Sequence, residues 1–481
     1  MSSLGRSKKV ALMAAVSERG DPPVAVSHEQ IISELLGQVS RVDFRTLAKL
    51  QNPEDKLKPM HYIVLVVREL LALAERNELG LCRRDGLIFT YNGQYWKPLE
   101  ADALKRFLMQ AAERMGVEWV TSQFFQFGDN LYKQFLTGAY LAKPTPNREV
   151  VRVNLQNGTF EIGTRQQGLR RPERGDFLTH QLPFAYTPAA KASHWQTFLN
   201  RVLPDKSSQL VLAEYLGYVF VHPSKLKLEK VLLLYGSGAN GKSVFFEVVF
   251  ALLGQDNVSN YSLASLTSEP AYSRAHLATK LVNYASEING RLEADTFKQM
   301  ASGEPVEARL PYGQPFILTD YAKLIFNCNE LPTEVEHTHA FFRRFLIVPF
   351  PVSIPEHEQD KTLATKIIAE ELAGVFNWVL DGLARLLKNE GLTDCEAARQ
   401  QLDTFRRQSD SVLLFLEERG YTASPAAWLP TKEAYQDYRN FCIDDGYRPV
   451  ARLKFTARLR TAGIEETRRN IGRGLAMGRT L

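Results

Sequence analysis

The sequence predicts an α/β protein whose core is a parallel sheet with flanking helices, an α+β region ahead of that core and a mainly helical region behind it. Residues 231–235 form a continuous apolar run, Val-Leu-Leu-Leu-Tyr, which is typical of a strand buried on both faces of a parallel sheet. Similar runs occupy residues 280–285, 323–327 and 345–349, and helical segments or loops separate them. Strands that alternate with helices in this way predict a parallel sheet with helices packed on it.

The composition is that of a folded globular protein. The chain has 481 residues, of which 44% are hydrophobic and 23% charged, and this length suggests about three domains. It contains no apolar run of about 18 residues and no recognisable secretory signal, so we expect a cytoplasmic protein without membrane contact. Cys82, Cys328, Cys395 and Cys442 form no CxxC pair, which argues against structural zinc and suits a reducing compartment.

We divide the chain into five segments by composition and periodicity. The polar N-terminal stretch is predicted to be disordered. The next region combines helical periodicity around residues 62–73 with two predicted hairpins, one at Asn92-Gly93 and one at Asn157-Gly158. The segments are a disordered tail (1–30), an N-terminal α+β domain (31–200), the α/β core (201–355), a helical extension (356–402) and a basic C-terminal domain (403–481).

A glycine-rich turn follows the first buried strand and precedes a predicted helix. Its pattern is GxxxxGK[ST] without departure, given by Gly236, Ser237, Gly238, Ala239, Asn240, Gly241, Lys242 and Ser243. Glycines let successive N–H groups point at phosphate oxygens, and the helix N-terminus adds positive potential. We therefore predict that this loop binds ATP, that Lys242 reaches the β- and γ-phosphates and that Ser243 ligates Mg²⁺. The motif alone leaves a motor, a small-molecule kinase and a switch GTPase open.

Polar residues follow two other predicted strands, at the edge where open α/β sheets place their sites. Glu287 comes just after the strand at 280–285, and we assign it to the metal or to the attacking water. Ser286 stands where many ATPases carry a second acid, so the choice between these roles stays open. Asn329 follows the strand at 323–327 and is predicted to orient water against the γ-phosphate. The alternative for Asn329 is an ordinary turn residue.

Two further groups of cations are candidate functional residues. Arg343 and Arg344 precede the last predicted strand, and either can act as an arginine finger across a subunit boundary; the alternative is a pair of solvated surface arginines. From residue 452 onward, eight lysines and arginines face only two glutamates. Such a basic end predicts contact with a phosphate backbone, with Lys454 and Arg458 as candidates, although a solvated basic tail is the alternative.

The order of these motifs resembles that of the superfamily 3 helicases, and particularly the C-terminal half of phage and plasmid primase-helicases related to the poxvirus primase-helicase. The resemblance also includes residues 298–309, Lys-Gln-Met-Ala-Ser-Gly-Glu-Pro-Val-Glu-Ala-Arg. It implies a P-loop core of the AAA+ type and a DNA-contacting hairpin in a hexamer channel, with Lys298, Arg309 and Tyr312 as contacts. The turn-forming residues 311–315 fit such a hairpin, and an aromatic ring between cations suits a stacked single strand.

The resemblance extends to both flanks and covers roughly residues 80–481. Residues 153–160 and 182–186 look like the domain that precedes the motor in this family. Residues 435–459 are similar to its C-terminal winged-helix unit. Many members carry a primase domain ahead of the helicase, but only about 75 residues precede the matching region here, so we expect no primer synthesis by this chain.

The resemblance implies an ATP- and Mg²⁺-dependent helicase that unwinds DNA at the replication origin of a phage, plasmid or other mobile element in a bacterial host cytoplasm. It implies a homo-hexamer with ATP at each subunit boundary and single-stranded DNA in the channel. We expect the basic C-terminal domain to bind origin duplex or a partner, and a separate primase is a further hypothesis. The alternatives are an origin-melting initiator with little unwinding, and a P-loop NTPase that senses nucleic acid or remodels protein.

Overall fold

The computed structural model of the chain describes residues 27–479 except positions 53, 78, 85, 142–148, 164–166, 287, 289–291, 312, 333–334 and 470–471. Most of the predicted tail, residues 1–26, lies outside the described residues. The first helix, α1 (His28–Gln38), begins inside the last part of that predicted tail, because Ser27 caps it. The Ser27 hydroxyl accepts from the Gln30 amide at 3.3 Å, and the Gln30 side chain accepts from the Ser27 amide.

A helical unit with a small antiparallel sheet forms the N-terminal part of the described chain. Its elements are α1, α2 (Phe44–Leu47), α3 (Pro59–Arg76), β1 (Gly80–Arg84), β2 (Leu87–Tyr91), β3 (Trp96–Leu99), α4 (Ala101–Met115), α5 (Trp119–Gln123) and α6 (Phe125–Gly138). The apolar faces of α3, α4 and α6 meet in one buried cluster that includes Val66, Phe107 and Leu131. The three strands pair in the order β1-β2-β3.

Residues 150–202 share their hydrophobic core with the central sheet. They form β4 (Val150–Leu155), β5 (Gly158–Gly163), β6 (Gln167–Arg170), a short 3₁₀ turn at Arg174–Asp176 and α7 (Ser193–Val202). Buried side chains of β4, β5 and α7 belong to the same cluster as Leu232 and Ile325 of the central sheet. The boundary predicted at residue 200 falls inside α7, whose buried side chains belong to this shared cluster.

Both predicted hairpins form, with turns that differ from the predicted ones. Tyr91 pairs with Trp96, so the first loop has four residues rather than two. The Asn92 carboxamide oxygen accepts from the amides of Gln94 and Tyr95, both at 3.0 Å, and this closes the longer loop. In the second hairpin Leu155 pairs with Gly158, which places the turn at residues 156–157, one position earlier than predicted.

The central sheet has five parallel strands, as expected for the α/β core. They are β7 (Val231–Tyr235), β8 (Val258–Ser259), β9 (Val282–Ala285), β12 (Lys323–Cys328) and β13 (Phe345–Pro349), in the spatial order β13-β7-β12-β9-β8. All neighbouring pairs are parallel. The four predicted strands are confirmed to within two residues at each end. The edge strand β8 was not predicted, because two residues give no periodic signal.

Helices surround this sheet, and a small hairpin projects from the chain between β9 and β12. The elements are α8 (Lys206–Tyr218), α9 (Lys242–Leu253), a 3₁₀ turn (Gln255–Asn257), α10 (Leu263–Thr267), α11 (Tyr272–Ala275), α12 (Ala294–Ala301), β10 (Val306–Ala308), β11 (Phe316–Leu318), α13 (His339–Phe342), a 3₁₀ turn (Glu356–Glu358), α14 (Leu363–Glu370), α15 (Leu372–Asn389) and α16 (Glu396–Gln408). Strands β10 and β11 pair in antiparallel register. The helical extension predicted after residue 355 thus corresponds to α14–α16.

A separate small core forms the C-terminal end of the chain. Its elements are α17 (Ser411–Glu418), β14 (Tyr421–Ala423), β15 (Leu429–Pro430), α18 (Thr431–Asp444), α19 (Arg452–Thr461), β16 (Glu466–Arg469), β17 (Gly472–Leu475) and β18 (Met477–Arg479). Phe415, Tyr438 and Phe455 pack together at its centre. Helices combined with short strands were expected here, and the winged-helix assignment stays a prediction.

Several general features of the described residues bear on the class of protein. All four cysteines are buried and free. Across the described part of the chain, helices are too short or too polar to cross a membrane. Within the same residues, histidine, cysteine and acidic side chains are not grouped in threes, as they are in metal sites built from those side chains.

The close contact between α8 and α15 generates a stability prediction. A Cβ at Gly382 would lie 2.3 Å from the carbonyl carbon of Ala213, whereas a Cβ at Gly37 of α1 meets nothing within 4 Å. We expect Gly382→Ala to force the two helices apart and to lower the free energy of unfolding by about 1–3 kcal/mol. The matched variant Gly37→Ala should be neutral or slightly stabilising, since alanine favours a helix. Urea unfolding followed by circular dichroism measures the stability of both variants. Equal unfolding midpoints for the two would contradict this packing.

Candidate nucleotide site

The glycine-rich loop, residues 236–241, leaves the carboxyl end of β7 and enters α9. Gly241 has a φ of +86°, and a Cβ there would lie 2.8 Å from the Phe198 ring. At Gly236 a Cβ would lie 2.1 Å from the side-chain amide nitrogen of Asn240. Both positions exclude a side chain, so the tight entry into α9 depends on these glycines.

Lys242 is the first residue of α9, and its side chain folds back over the loop. The residue is only 6% exposed. Its ammonium donates to the Gly236 carbonyl oxygen and, at 3.1 Å, to the side-chain oxygen of Asn240. Burial lowers the pKa of Lys242, and the neighbouring Cys328 raises it by a smaller amount. Because these acceptors are neutral, an anionic phosphate oxygen at the loop would make the stronger hydrogen bond with this ammonium.

Further donors converge on the same end of α9. The helix has 12 residues, so its N-terminus carries roughly half a positive charge. Ser243 lies exposed in the first turn. The side-chain nitrogen of Asn240 is buried and has no hydrogen-bond partner among the described residues. An ammonium, an amide and a hydroxyl at one helix N-terminus form a donor set suited to a polyphosphate with a bound cation.

The carboxyl ends of the neighbouring strands lie beside this loop. The Gly236 amide donates to the Cys328 carbonyl oxygen at 3.1 Å, so Asn329, the next residue, follows β12 directly beside the loop and is exposed. The structure thus brings Asn329 and the loop to one edge of the sheet. Ser286 follows β9 at the same edge, and Glu287 lies outside the described residues.

The residue before Cys328 has a role that the sequence analysis missed. Asn327 is buried, and its side-chain oxygen accepts from the Tyr284 hydroxyl at 2.9 Å. This bond links β12 to β9 just below the loop. A polar residue inside an otherwise apolar run was the available signal, because a buried amide must find a partner.

Arg343 and Arg344 lie at the opposite end of the sheet from the loop of the same chain. They precede β13, which runs parallel to β7, and the Arg344 carbonyl accepts from the amide of Val231, the first residue of β7. A strand of five residues spans about 16 Å. Neither arginine can therefore reach phosphate held by its own chain's loop, and a role there requires a second copy of the chain.

The two arginines differ in environment. Arg344 is 8% exposed. Its guanidinium donates to the Lys298 carbonyl at 3.0 Å, to the Ser302 hydroxyl at 2.9 Å and to the Ala340 carbonyl. The Arg343 side chain is 48% exposed and pairs with Glu229 at 2.7 Å. Arg344 therefore holds α12 against the start of β13, and Arg343 is the arginine that a neighbouring molecule could meet.

The two described candidates for DNA contact near the hairpin, Lys298 and Arg309, differ in environment. The ammonium of Lys298 pairs with Asp295 at 2.7 Å and with Glu336 at 3.0 Å, and these hydrogen bonds raise the pKa of Lys298. Arg309 follows β10, is exposed, and donates to the Gly313 carbonyl at 2.9 Å. Tyr312 lies outside the described residues. Arg309 therefore lies at the tip of the hairpin, while Lys298 is on α12 and already has acidic partners.

The predicted contacts in the basic C-terminal region also differ from one another. Arg458 donates to Asp410 at 3.0 Å, and its side chain is only 19% exposed. Lys454, one turn earlier on α19, is exposed, as is Leu453 at 84%. Arg458 thus ties α19 to the N-cap of α17, and Lys454 is the residue of the pair that lies on the surface.

Two family models match separate parts of the chain. Residues 234–344, which include the loop, match a family of unknown function, DUF5906. Residues 70–204 match the family described as D5 N terminal like. Neither match covers half of the chain.

The comparisons extend to individual proteins and structures. "Putative helicase L207/L206" of Acanthamoeba polyphaga mimivirus is 28% identical over 182 residues, which are 36% of this chain and 18% of that protein. The chain therefore spans less than a fifth of the length of this relative. Two apo structures of the NrS-1 C-terminal region align over 86% and 88% of this chain and over 99% and 100% of theirs, each with a TM-score of 0.47 and with 12% and 11% identity. These structural similarities are too low to establish a shared fold.

The contrast between the two arginines generates a second prediction. Arg344→Ala leaves buried hydroxyl and carbonyl groups without donors, at a cost of about 1–3 kcal/mol each. We expect it to lower the thermal unfolding midpoint clearly, whereas Arg343→Ala should leave that midpoint nearly unchanged because exposed ion pairs contribute little. Differential scanning fluorimetry of the two variants, purified side by side, is the measurement. An unchanged midpoint for Arg344→Ala would show that the hydrogen bonds of this guanidinium do not contribute to stability.

Proposed function

We propose that this chain is the ATP-dependent motor of a DNA replication helicase. The observation that carries the proposal is the glycine-rich loop at the carboxyl edge of the parallel sheet, with Lys242 folded over it at the N-terminus of α9. A loop whose glycines exclude side chains and whose donors converge on one point is suited to a triphosphate. Similarity to a viral helicase and to the D5 N-terminal-like family supports a replication role.

The residues of the loop have separate tasks in this proposal. Lys242 and the backbone amides of residues 236–241 bind the β- and γ-phosphates of ATP, and Ser243 supplies a hydroxyl ligand to Mg²⁺. Bound Mg²⁺ would neutralise charge that builds up on the transferring phosphate. Asn329, beside the loop, orients the attacking water, and Glu287 either activates that water or assists at the metal.

The position of the arginines supports an assembly in which sites lie between subunits. Because Arg343 stands about one strand length from its own loop, it would complete the site of a neighbouring copy. A head-to-tail arrangement forms a ring when the rotation between subunits closes, and we propose a homo-hexamer with DNA in its channel. Arg309, which follows β10 in this hairpin, would contact the single strand there, and Tyr312 is proposed as a second contact.

The C-terminal unit supports the origin-directed part of the proposal. Lys454 lies exposed on α19 among arginines at 452, 460, 468 and 473, and such a surface favours phosphate backbone. We propose that this unit binds duplex DNA at the replication origin of a phage, plasmid or other mobile element, or a partner such as a separate primase.

The same basic surface favours the second candidate function, an initiator that melts the origin with little unwinding. Displacement of a labelled strand from a forked duplex separates these two functions.

The loop assignment predicts the effect of removing its lysine. Lys242→Ala should lower ATP turnover by about 10²-fold or more, because the ammonium stabilises charge on the transferring phosphate. Lys432→Ala, at an exposed position on α18, is the matched control and should retain full activity. Release of inorganic phosphate, with and without single-stranded DNA, measures ATP turnover by the two variants. Normal turnover by Lys242→Ala would place the active site elsewhere.

The arginine assignment predicts complementation between variants. Arg343→Ala and Lys242→Ala should each be inactive alone, but a mixed ring contains interfaces with one intact loop and one intact arginine. Random mixing at equal amounts makes about a quarter of the interfaces intact in this way. We therefore expect phosphate release by the mixture to recover to roughly that fraction. A mixture no more active than its separate components would rule out Arg343 as a residue shared between subunits.

A further inference from the structure

A cavity of about 320 Å³ lies at the amino-terminal edge of the central sheet. Its walls come from β4, from the loop at residues 176–180, from the turn after α8, and from β11. It therefore lies between the strand-rich segment and the motor core. The volume is within the range of small-molecule sites, which begins at about 300 Å³.

This cavity is separate from the glycine-rich loop. Lys323, the first residue of β12, lines the cavity, whereas Cys328, the last residue of the same strand, contacts Gly236 of the loop. A six-residue strand is about 20 Å long. A ligand here would thus occupy a second position, at the other end of the sheet.

The charged residues that line the cavity are mostly cations. Five lysines and arginines and two aspartates stand among the described lining residues, a formal surplus of 5 − 2 = 3 positive charges with histidines neutral. Asp176 pairs with Arg152 and Arg170, and the side chain of Asp320 is 69% exposed. The carboxylates therefore leave a net positive interior, which favours an anion.

Lys323 is a half-buried member of this set. Its ammonium lies over the Tyr218 ring, 4.6 Å from the ring centre, and no described carboxylate lies within ion-pair distance. Burial lowers the pKa of Lys323 to about 8, partly offset by Asp320. Removing an ammonium even partly from water costs free energy unless an anionic partner compensates.

A second unsatisfied group lines the same cavity. His180 is 9% exposed, and its Nε2 is buried without a hydrogen-bond partner among the described residues. Burial lowers the pKa of His180 to about 4, so the ring is neutral at pH 7. Buried polar atoms are almost always paired, so this nitrogen indicates that the cavity takes a polar occupant.

The remaining walls are aromatic. Phe89, Phe220, Phe316 and Tyr321 line the cavity together with Phe177, whose ring lies 3.9 Å below the Arg84 guanidinium. Aromatic walls with lysines and arginines between them match the two parts of a nucleotide, a flat base and a charged phosphate.

We propose that this cavity binds a phosphate-bearing ligand of nucleotide size, with Lys323 holding the phosphate and the phenylalanines holding the base. The shared chemistry fits a free nucleotide and one unit of a single-stranded DNA backbone. The cavity borders β11, which is one strand of the β10–β11 hairpin. Both a free nucleotide and a DNA strand would therefore be accessible to it in a DNA motor. The proposal does not depend on catalysis at the glycine-rich loop.

The test uses the full chain with Lys242→Ala, so that binding at the glycine-rich loop is weakened. Two variants are added separately in this background. Lys323→Met keeps the stem over Tyr218 and removes the charge, and Ile317→Glu introduces a negative charge at a lining residue that is 62% exposed. Lys432→Met, on α18 and outside the cavity, is the matched control. Fluorescently labelled ADP and a labelled short oligothymidine are the two probes, and anisotropy titrations give their affinities.

We expect Lys323→Met and Ile317→Glu each to weaken binding of one probe by about tenfold or more, while Lys432→Met leaves both affinities unchanged. If the cavity variants lose affinity for labelled ADP alone, a free nucleotide is the ligand. If they lose affinity for oligothymidine alone, the ligand is the DNA backbone. Because Ile317 is exposed, its variant remains informative if Lys323→Met fails to fold. The proposal is overturned if both cavity variants bind both probes as tightly as the Lys432→Met control does.

Discussion

Strand β7 is hydrogen-bonded on both sides, to β12 and to β13, and its side chains are buried between two hydrophobic clusters. This burial determines where the glycine-rich loop lies, because the loop begins at the last residue of the strand. Phe245 and Val248 of α9 are anchored in the same cluster as Leu232. The loop is therefore held at both ends by packed apolar elements, and its donors keep a fixed geometry without any contribution from bound phosphate.

The central sheet was predictable because each long strand is a continuous apolar run, the pattern that burial on both faces requires. The same reasoning missed β8, whose two residues carry no pattern. It also gave no sign that residues 150–202 share a core with the central sheet. Val151, Val153 and Leu155 alternate as in a half-buried strand, but alternation does not say which partner covers the buried face. Only the three-dimensional structure shows that the partner is the central parallel sheet with its helices.

The candidate site, like the fold, could be predicted from the sequence only in part. Lys242 and Ser243 could be proposed as phosphate-binding candidates from the sequence, because the glycine-rich pattern is a local motif. The environments of the other candidates depend on distant residues. Glu336 neutralises Lys298 from 38 positions away, and Asp410 holds Arg458 from 48 positions away. Arg343 and Arg344 are adjacent and chemically identical, so only burial separates the exposed arginine from the one that supports the core.

Arg344 has one more consequence. Its guanidinium joins Ser302 and the Lys298 carbonyl, at the end of α12, to the turn that carries Arg343. The chain continues from α12 directly into β10. The base of the hairpin is therefore joined through Arg344 to the segment that bears Arg343. If the chain forms the proposed ring, a shift of Arg343 at the nucleotide of one subunit would be transmitted to the hairpin of the next, which would couple the proposed chemical step to movement of the DNA strand.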